Sequence, residues 1–253
     1  MEDFNGKKVL ITGGSRGIGR ATAQAFAARG AQIAINFRSD SQAAAETIDS
    51  LDGEGHFAIK ADISKPKAVE MLTEAVIGEF ENIDILINNA GIYLPHPILD
   101  SDYQTWQDAW KNTLDLNLVG VANMCYWVAQ QMKEQGGGHI INVSSRGAFR
   151  GEPEHPAYGA SKAGLNAMSQ SLAKALGPHQ IYVSVVAPGF VATDMTQTIL
   201  EGPEGDLIRN QSPLQRVATP DEVAHGIVFL AEKGSAFMTG AILDINGASY
   251  LRS

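Results

Sequence analysis

Tyr158 and Lys162 stand four residues apart in a stretch, 156–176, that reads as a helix. That spacing puts both side chains on one face, one turn apart. A free phenol ionises near pH 10 or so, a poor match to proton transfer near neutrality. An ammonium one turn away favours the phenolate and is expected to lower that value. The phenol can then give a proton to a carbonyl oxygen, or take one back from an alcohol. Taken alone, the pair describes an exposed helix face equally well.

A second group of residues suits a different task. Thr12-Gly13-Gly14-Ser15-Arg16-Gly17-Ile18-Gly19 joins a short apolar run to a helical stretch. Glycines there allow a tight turn and let backbone N–H groups approach a pyrophosphate, and the helix N-terminus adds a favourable dipole. The spacing departs from G-x-G-x-x-G, because three residues separate Gly13 from Gly17. A turn that merely needs positive φ would carry the same glycines. The position straight after an N-terminal strand favours nucleotide binding.

These groups need a frame, and the chain supplies an alternating one. Strands are predicted at 7–12, 31–37, 56–61, 83–88, 138–144, 180–187 and 240–246. Helices are predicted at 17–29, 41–52, 65–80, in two stretches over 101–135, at 156–176, in pieces at 193–210, and at 220–232. Ile83-Asp84-Ile85-Leu86-Ile87 is nearly continuous apolar sequence, as expected of a parallel strand covered on both faces. The pattern implies one α/β domain over 1–253: a doubly wound, seven-stranded parallel sheet with helices on both faces.

Composition narrows the function. The 253 residues are 44% hydrophobic, enough for a substantial core. The formal charge of −9 argues against nucleic-acid binding and against attraction to an anionic membrane. Cys125 is the single cysteine, so no internal disulfide or cysteine zinc cluster forms. The six histidines show no paired spacing with a carboxylate typical of zinc sites, so no metal is expected. An acidic start, no secretory signal and no apolar run of about eighteen residues make the cytoplasm the expected location.

Five ordered motifs resemble the short-chain dehydrogenase/reductase family over essentially the whole chain. They are the T-G-x-x-x-G-x-G loop, Asn88-Asn89-Ala90-Gly91, Asn117 in Asp115-Leu116-Asn117-Leu118, Ser145 thirteen residues before Tyr158-x-x-x-Lys162, and Pro188-Gly189. By pattern the chain looks like the 3-oxoacyl reductases and the bacterial glucose dehydrogenases. The resemblance implies a Rossmann fold and hydride transfer between a nicotinamide and a ketone or secondary alcohol. It implies a set of Asn117, Ser145, Tyr158 and Lys162. Tyr158 would exchange the proton, while Lys162 would also hold the nicotinamide ribose. Ser145 would orient and polarise the substrate oxygen, and Asn117 would place a water in a proton relay to Lys162. Only the family spacing selects Ser145 over the adjacent Ser144. It further implies cofactor contacts from Gly13, Ser15, Arg16, Gly17, Ile18 and Gly19, and from Asp62, Ile63, Asn89, Ala90, Gly91, Pro188, Val191 and Thr193. Asp62 reads equally as a turn or helix cap, and Thr193 as an N-cap.

The second strand points to the kind of nicotinamide. NAD sites usually place an acid at its end, whereas a 2′-phosphate calls for arginine and no carboxylate. Here Phe37 stands where the acid would be, Arg38 follows, and Arg16 lies in the glycine loop. Two guanidinium groups can grip one phosphate, so NADP(H) is expected in preference to NAD(H). Asp40, two residues past Arg38, works against this by repelling a phosphate or accepting a ribose hydroxyl.

Substrate choice is expected from residues 92–100, 146–157 and about 190–215, the last broken by Glu201-Gly202-Pro203-Glu204-Gly205 and read as a lid. A 3-oxoacyl-type ketone leads. A sugar or polyol is the alternative, and a cofactor-binding sensor without turnover is a third reading that the complete side-chain set opposes. An acyl carrier is acidic, and the candidate docking stretches, 133–136 and 174–179, are only weakly basic, which lowers the case for a carrier-bound substrate. Family members commonly form homotetramers, and Val119 to Val128 and the C-terminal strand are apolar enough to serve as interfaces.

Overall fold

The computed structural model describes residues 3–252. Seven strands form one all-parallel sheet: β1 (Lys8–Thr12), β2 (Gln32–Phe37), β3 (Phe57–Lys60), β4 (Ile85–Asn88), β5 (Gly138–Val143), β6 (Ile181–Pro188) and β7 (Ile242–Ile245). Their order across the sheet is β3-β2-β1-β4-β5-β6-β7. Every residue of β4 is buried, as its apolar run predicts for a strand covered on both faces.

Ten helices connect the strands: α1 (Gly17–Ala27), α2 (Ser41–Asp49), α3 (Pro66–Phe80), α4 (Tyr103–Leu114), α5 (Val121–Gln135), α6 (Gly147–Arg150), α7 (Pro156–Leu176), α8 (Asp194–Glu201), α9 (Gly205–Arg209) and α10 (Pro220–Ala231). One face of the sheet packs Val9 and Ile11 against Phe26 of α1 and Ile227 of α10. The other packs Leu10 and Leu86 against Leu72 of α3, Val128 of α5 and Leu165 of α7. Alternation along β1 therefore feeds both cores, and each such aliphatic side chain contributes about 1.5–3 kcal/mol on burial. The result is the single-domain, doubly wound α/β fold the alternation implies.

Three local departures concern the site. A π-helical turn, Asp115–Gly120, joins α4 to α5 and carries Asn117. The short helix α6 follows Ser145, where the sequence reads as loop. The helical pieces anticipated over 193–210 are divided at Gly202-Pro203-Glu204, separating α8 from α9.

The strand order reverses between β1 and β4. In open α/β sheets that reversal leaves a crevice at the carboxyl ends of the strands, where ligands bind.

Candidate active site

The crevice is a cleft of about 600 Å³. Its floor is the turn from β1 into α1. Gly13 has φ +64°, and a Cβ there would lie 2.9 Å from the Ala90 Cα. A Cβ at Gly19 would stand 2.2 Å from the Gly13 carbonyl oxygen. Only glycine fits either position. Thr12 Oγ1 accepts the backbone N–H of Asn89 at 3.0 Å and of Ala90 at 3.1 Å. Asn89 Nδ2 returns hydrogen bonds to the carbonyls of Thr12 (3.1 Å) and Gly13 (2.9 Å). The turns that end β1 and β4 are thereby stitched into one rigid lip.

Seventeen of the residues singled out from the sequence line this cleft: Gly13, Ser15, Arg16, Gly17, Ile18, Arg38, Asp62, Ile63, Asn89, Ala90, Gly91, Ser145, Tyr158, Lys162, Pro188, Val191 and Thr193. Gly19 lies behind the loop, and Asn117 lies behind the cleft wall.

Tyr158 and Lys162 share a face of α7, as their spacing requires. Ser145, just past β5, lines the cleft beside the Tyr158 phenol. Its Oγ accepts the Gly147 N–H at 3.0 Å, so α6 holds the hydroxyl in place. Ser144 turns away: its buried Oγ donates to the Lys162 carbonyl at 3.3 Å. Lys162 Nζ donates to the Val143 carbonyl at 2.8 Å and lies 5.7 Å from the Tyr158 ring centroid.

The expected acidification of the phenol does not hold in this geometry. Burial pushes Tyr158 up to about 12, with Glu152 adding to the rise and Ser145 opposing it. Burial also draws Lys162 down to about 8. Desolvation is the largest cause of both shifts, and the ammonium is engaged by the Val143 carbonyl rather than by the phenolic oxygen.

Asn117 is fully buried in the π-helical turn. Its Oδ1 accepts the Ile92 N–H and its Nδ2 donates to the Ile92 carbonyl, both at 2.9 Å. The side chain therefore braces the strand-end segment 89–92, with Nδ2 also 3.4 Å from Ser161 Oγ. π-Turns inside helices concentrate at functional sites.

At the other end of the cleft, Phe37 closes β2 with no carboxylate in its place. Arg16 reaches in from the loop, 3.7 Å from Asp194 and 4.0 Å from Asp40. Asp40 caps α2, its Oδ1 accepting the Ala43 N–H at 3.0 Å. Arg38 is exposed. Asp62 accepts the Ser64 N–H at 3.0 Å, and Thr193 stands at the N-cap of α8, so both also do the local capping that their positions suggest.

Four further cleft residues, Tyr93, Arg146, Glu152 and Phe190, lie in the three regions expected to set substrate choice, though no individual role is expected of them from the sequence. Tyr93 stacks on His155 with centroids 3.5 Å apart and meets the Tyr158 ring edge-on at 4.8 Å. Its hydroxyl donates to Glu152 Oε2 at 3.4 Å. Burial raises the Tyr93 phenol and draws half-buried His155 down to about 4. All four lie beside recognisable motifs, which is the signal that could have found them.

Residues 13–248 match the model of the family described as Enoyl-(Acyl carrier protein) reductase. The chain is 35% identical to 3-oxoacyl-[acyl-carrier-protein] reductase FabG of Chlamydia trachomatis, over 95% of this chain and 96% of the relative. It is 36% identical to D-threitol dehydrogenase of Mycolicibacterium smegmatis, over 98% of this chain and 95% of that one. This chain belongs to the short-chain dehydrogenase/reductase family. The crystal structure of 3-ketoacyl-(acyl-carrier-protein) reductase from Brucella melitensis complexed with NADH superposes with a TM-score of 0.89 at 30% identity, over 98% of this chain and all (100%) of that one. A Burkholderia cenocepacia short-chain dehydrogenase in complex with NADP gives 0.89 at 32% identity, over 98% and 99% of the two chains.

The protein is thus an oxidoreductase that exchanges hydride between a nicotinamide nucleotide and a carbonyl or alcohol. The residues present fit such a cofactor: a glycine cradle that any Cβ would fill opens on the N-terminus of α1, in a cleft that reaches the Ser145–Tyr158 pair. Among the described residues, no group of three or more His, Cys, Asp or Glu is placed to hold a metal ion, and no helix is long and apolar enough to cross a membrane.

Proposed function

We propose that this short-chain dehydrogenase/reductase interconverts a 3-oxoacyl-type ketone and its secondary alcohol with NADP(H). The observation that carries the reading is the Tyr158 phenol, which shares a glycine-cradled cleft with Ser145 and Lys162. A substrate oxygen between the Ser145 and Tyr158 hydroxyls takes a hydrogen bond from Ser145 and the proton from Tyr158 Oη. The bound nicotinamide supplies the hydride and, when oxidised, a positive charge near the phenol. Lys162 would hold the ribose and return a proton to Tyr158 Oη, drawing it from a water that Asn117 places.

Gly13, Ser15, Arg16, Gly17, Ile18 and Gly19 cradle the phosphates. Asp62 and Ile63 face the adenine, Asn89, Ala90 and Gly91 form the ribose wall, and Pro188, Val191 and Thr193 border the nicotinamide. The NADP(H) preference rests on Arg16 and Arg38 flanking the end of β2. It is supported by the capping role of Asp40, which commits one of its oxygens to α2. The segment 190–215 acts as the lid. The names of the FabG relatives support the 3-oxoacyl substrate.

A polyol is the second reading. The D-threitol relative and the Glu152 carboxylate on the cleft wall favour it. The chain's net charge of −9 opposes docking of an acidic acyl carrier, so small thioesters should serve as well as carrier-bound ones. Exposed Val119 and Tyr126 support a homotetramer, and buried, unpaired Cys125 accords with a cytoplasmic setting.

The test is NADPH oxidation with acetoacetyl thioesters against NADP⁺ reduction with polyols. Faster turnover of thioesters is expected. Turnover of polyols alone overturns the 3-oxoacyl reading, and turnover of neither overturns the enzyme reading. Light scattering should give about four times the 27.0 kDa chain mass.

A further inference from the structure

Arg146 follows Ser145 in the chain and lies between this cleft and a smaller neighbouring cavity, yet the residue is only 3% exposed. A buried guanidinium ordinarily meets a carboxylate, because an uncompensated buried charge costs several kcal/mol or so. Among the described residues no carboxylate comes within ion-pair distance of Arg146. One of its nitrogens, Nη2, donates to the Gln211 side-chain oxygen, which also takes Arg150 Nη1 at 3.2 Å. The guanidinium plane lies over Phe190, 5.0 Å from the ring centroid. A guanidinium carries five N–H donors, and a single acceptor leaves most of them unspent. Burial and the nearby Arg150 weaken its hold on its proton, while Glu152 and Tyr93 of the same cleft strengthen it. The cleft near Ser145 is therefore lined by both spare guanidinium donors and a carboxylate, Glu152.

We infer that Arg146 is a specificity-determining residue that donates to a second, neutral oxygen of the substrate, one or two carbons from the reacting carbonyl. The inference rests on the proposed ketone and alcohol chemistry and adds the requirement for that second oxygen. In a 3-oxoacyl thioester it is the thioester carbonyl; in a polyol it is the neighbouring hydroxyl. Glu152 offsets the pull that Arg146 and Arg150 would otherwise exert on a free carboxylate, which favours a neutral oxygen at the site.

The test compares kcat/KM for a 3-oxo ester, a monoketone of equal length and acetoacetate. The wild type should prefer the ester to both. In Arg146→Met the ester-to-monoketone ratio should fall at least about tenfold, the loss of charged hydrogen bonds, with Arg146→Lys intermediate. A purely structural latch on Gln211 would lower both rates together and leave the ratio within about twofold. That result overturns the inference, as does a wild type that prefers acetoacetate. NADPH fluorescence reports whether Arg146→Met is folded; if it is not, the ratio in Arg146→Lys decides. Should the wild type use only polyols, the 3-oxoacyl reading falls, and the same ratio is read with a vicinal diol against a mono-alcohol.

Discussion

His96 Nε2 accepts the backbone N–H of Ala157 at 3.1 Å, one residue before Tyr158. Ala157 is in the first turn of α7, where a helix leaves N–H groups without internal partners. An acceptor at Nε2 requires the proton on Nδ1, which donates to the Leu94 carbonyl at 2.8 Å. The ring is buried against Trp106 and Trp110. A residue from the segment after β4 thus anchors the helix that presents the phenol.

Replacing that anchor should loosen the phenol. His96→Ala leaves the Ala157 N–H unpaired at a cost of about 1–3 kcal/mol. Its kcat should fall more than its NADPH affinity. His96→Gln retains an acceptor and should recover part of the loss. Thermal melts and steady-state kinetics on both variants check this, and equal damage in the two would contradict it.

Tyr158→Phe removes the proton donor and leaves the ring in place. Turnover should drop by about 10³ while cofactor affinity stays within a few-fold. NADPH fluorescence titration and initial rates make the comparison. Turnover near that of the wild type would refute the assignment.

Lys162 adds a pH dependence to stability. Its ordinary pKa of 10.5 falls to about 8 in the fold. Between those values the unfolded chain binds more protons here than the native one, so this side chain makes the fold more stable as pH rises. The melting temperature of wild type minus that of Lys162→Met should therefore climb from pH 8 to pH 10. A flat or falling difference would show that burial does not govern this lysine.

Arg16 and Arg38 set the expected coenzyme preference. The wild type should use NADPH at least about tenfold more efficiently than NADH, and Arg16→Ala with Arg38→Ala should erase most of that ratio by weakening NADPH alone. Equal efficiency with both nucleotides in the wild type would end the preference.

The sheet was legible because its signals are redundant. Apolar runs such as Ile85-Leu86-Ile87 mark buried strands, and Gly13 to Gly19 mark the turn between the first strand and helix. The four-residue step from Tyr158 to Lys162 also carried over directly. The direction of the Tyr158 shift did not, because spacing reports neighbours but not the loss of water that dominates here. Periodicity did not mark the Asp115–Gly120 turn, since one widened turn scarcely alters a pattern read over thirty residues; only the resemblance, which makes Asn117 a helix-kink asparagine, pointed to it. Arg146 falls within the 146–157 region expected to set substrate choice, but its burial did not show in the sequence, because its partners Phe190 and Gln211 are remote in the chain.

That widened turn couples the reaction centre to the hydrophobic interior. An ordinary helix advances by about 100° per residue, so trimming one residue from Asp115–Gly120 would swing everything downstream by roughly that angle. Met124, Val128 and Met132 would rotate off the sheet as Asn117 lost its grip on Ile92. Any lineage that regularised this helix would have to re-phase the whole of α5 at the same moment, so the irregularity is locked in from both ends.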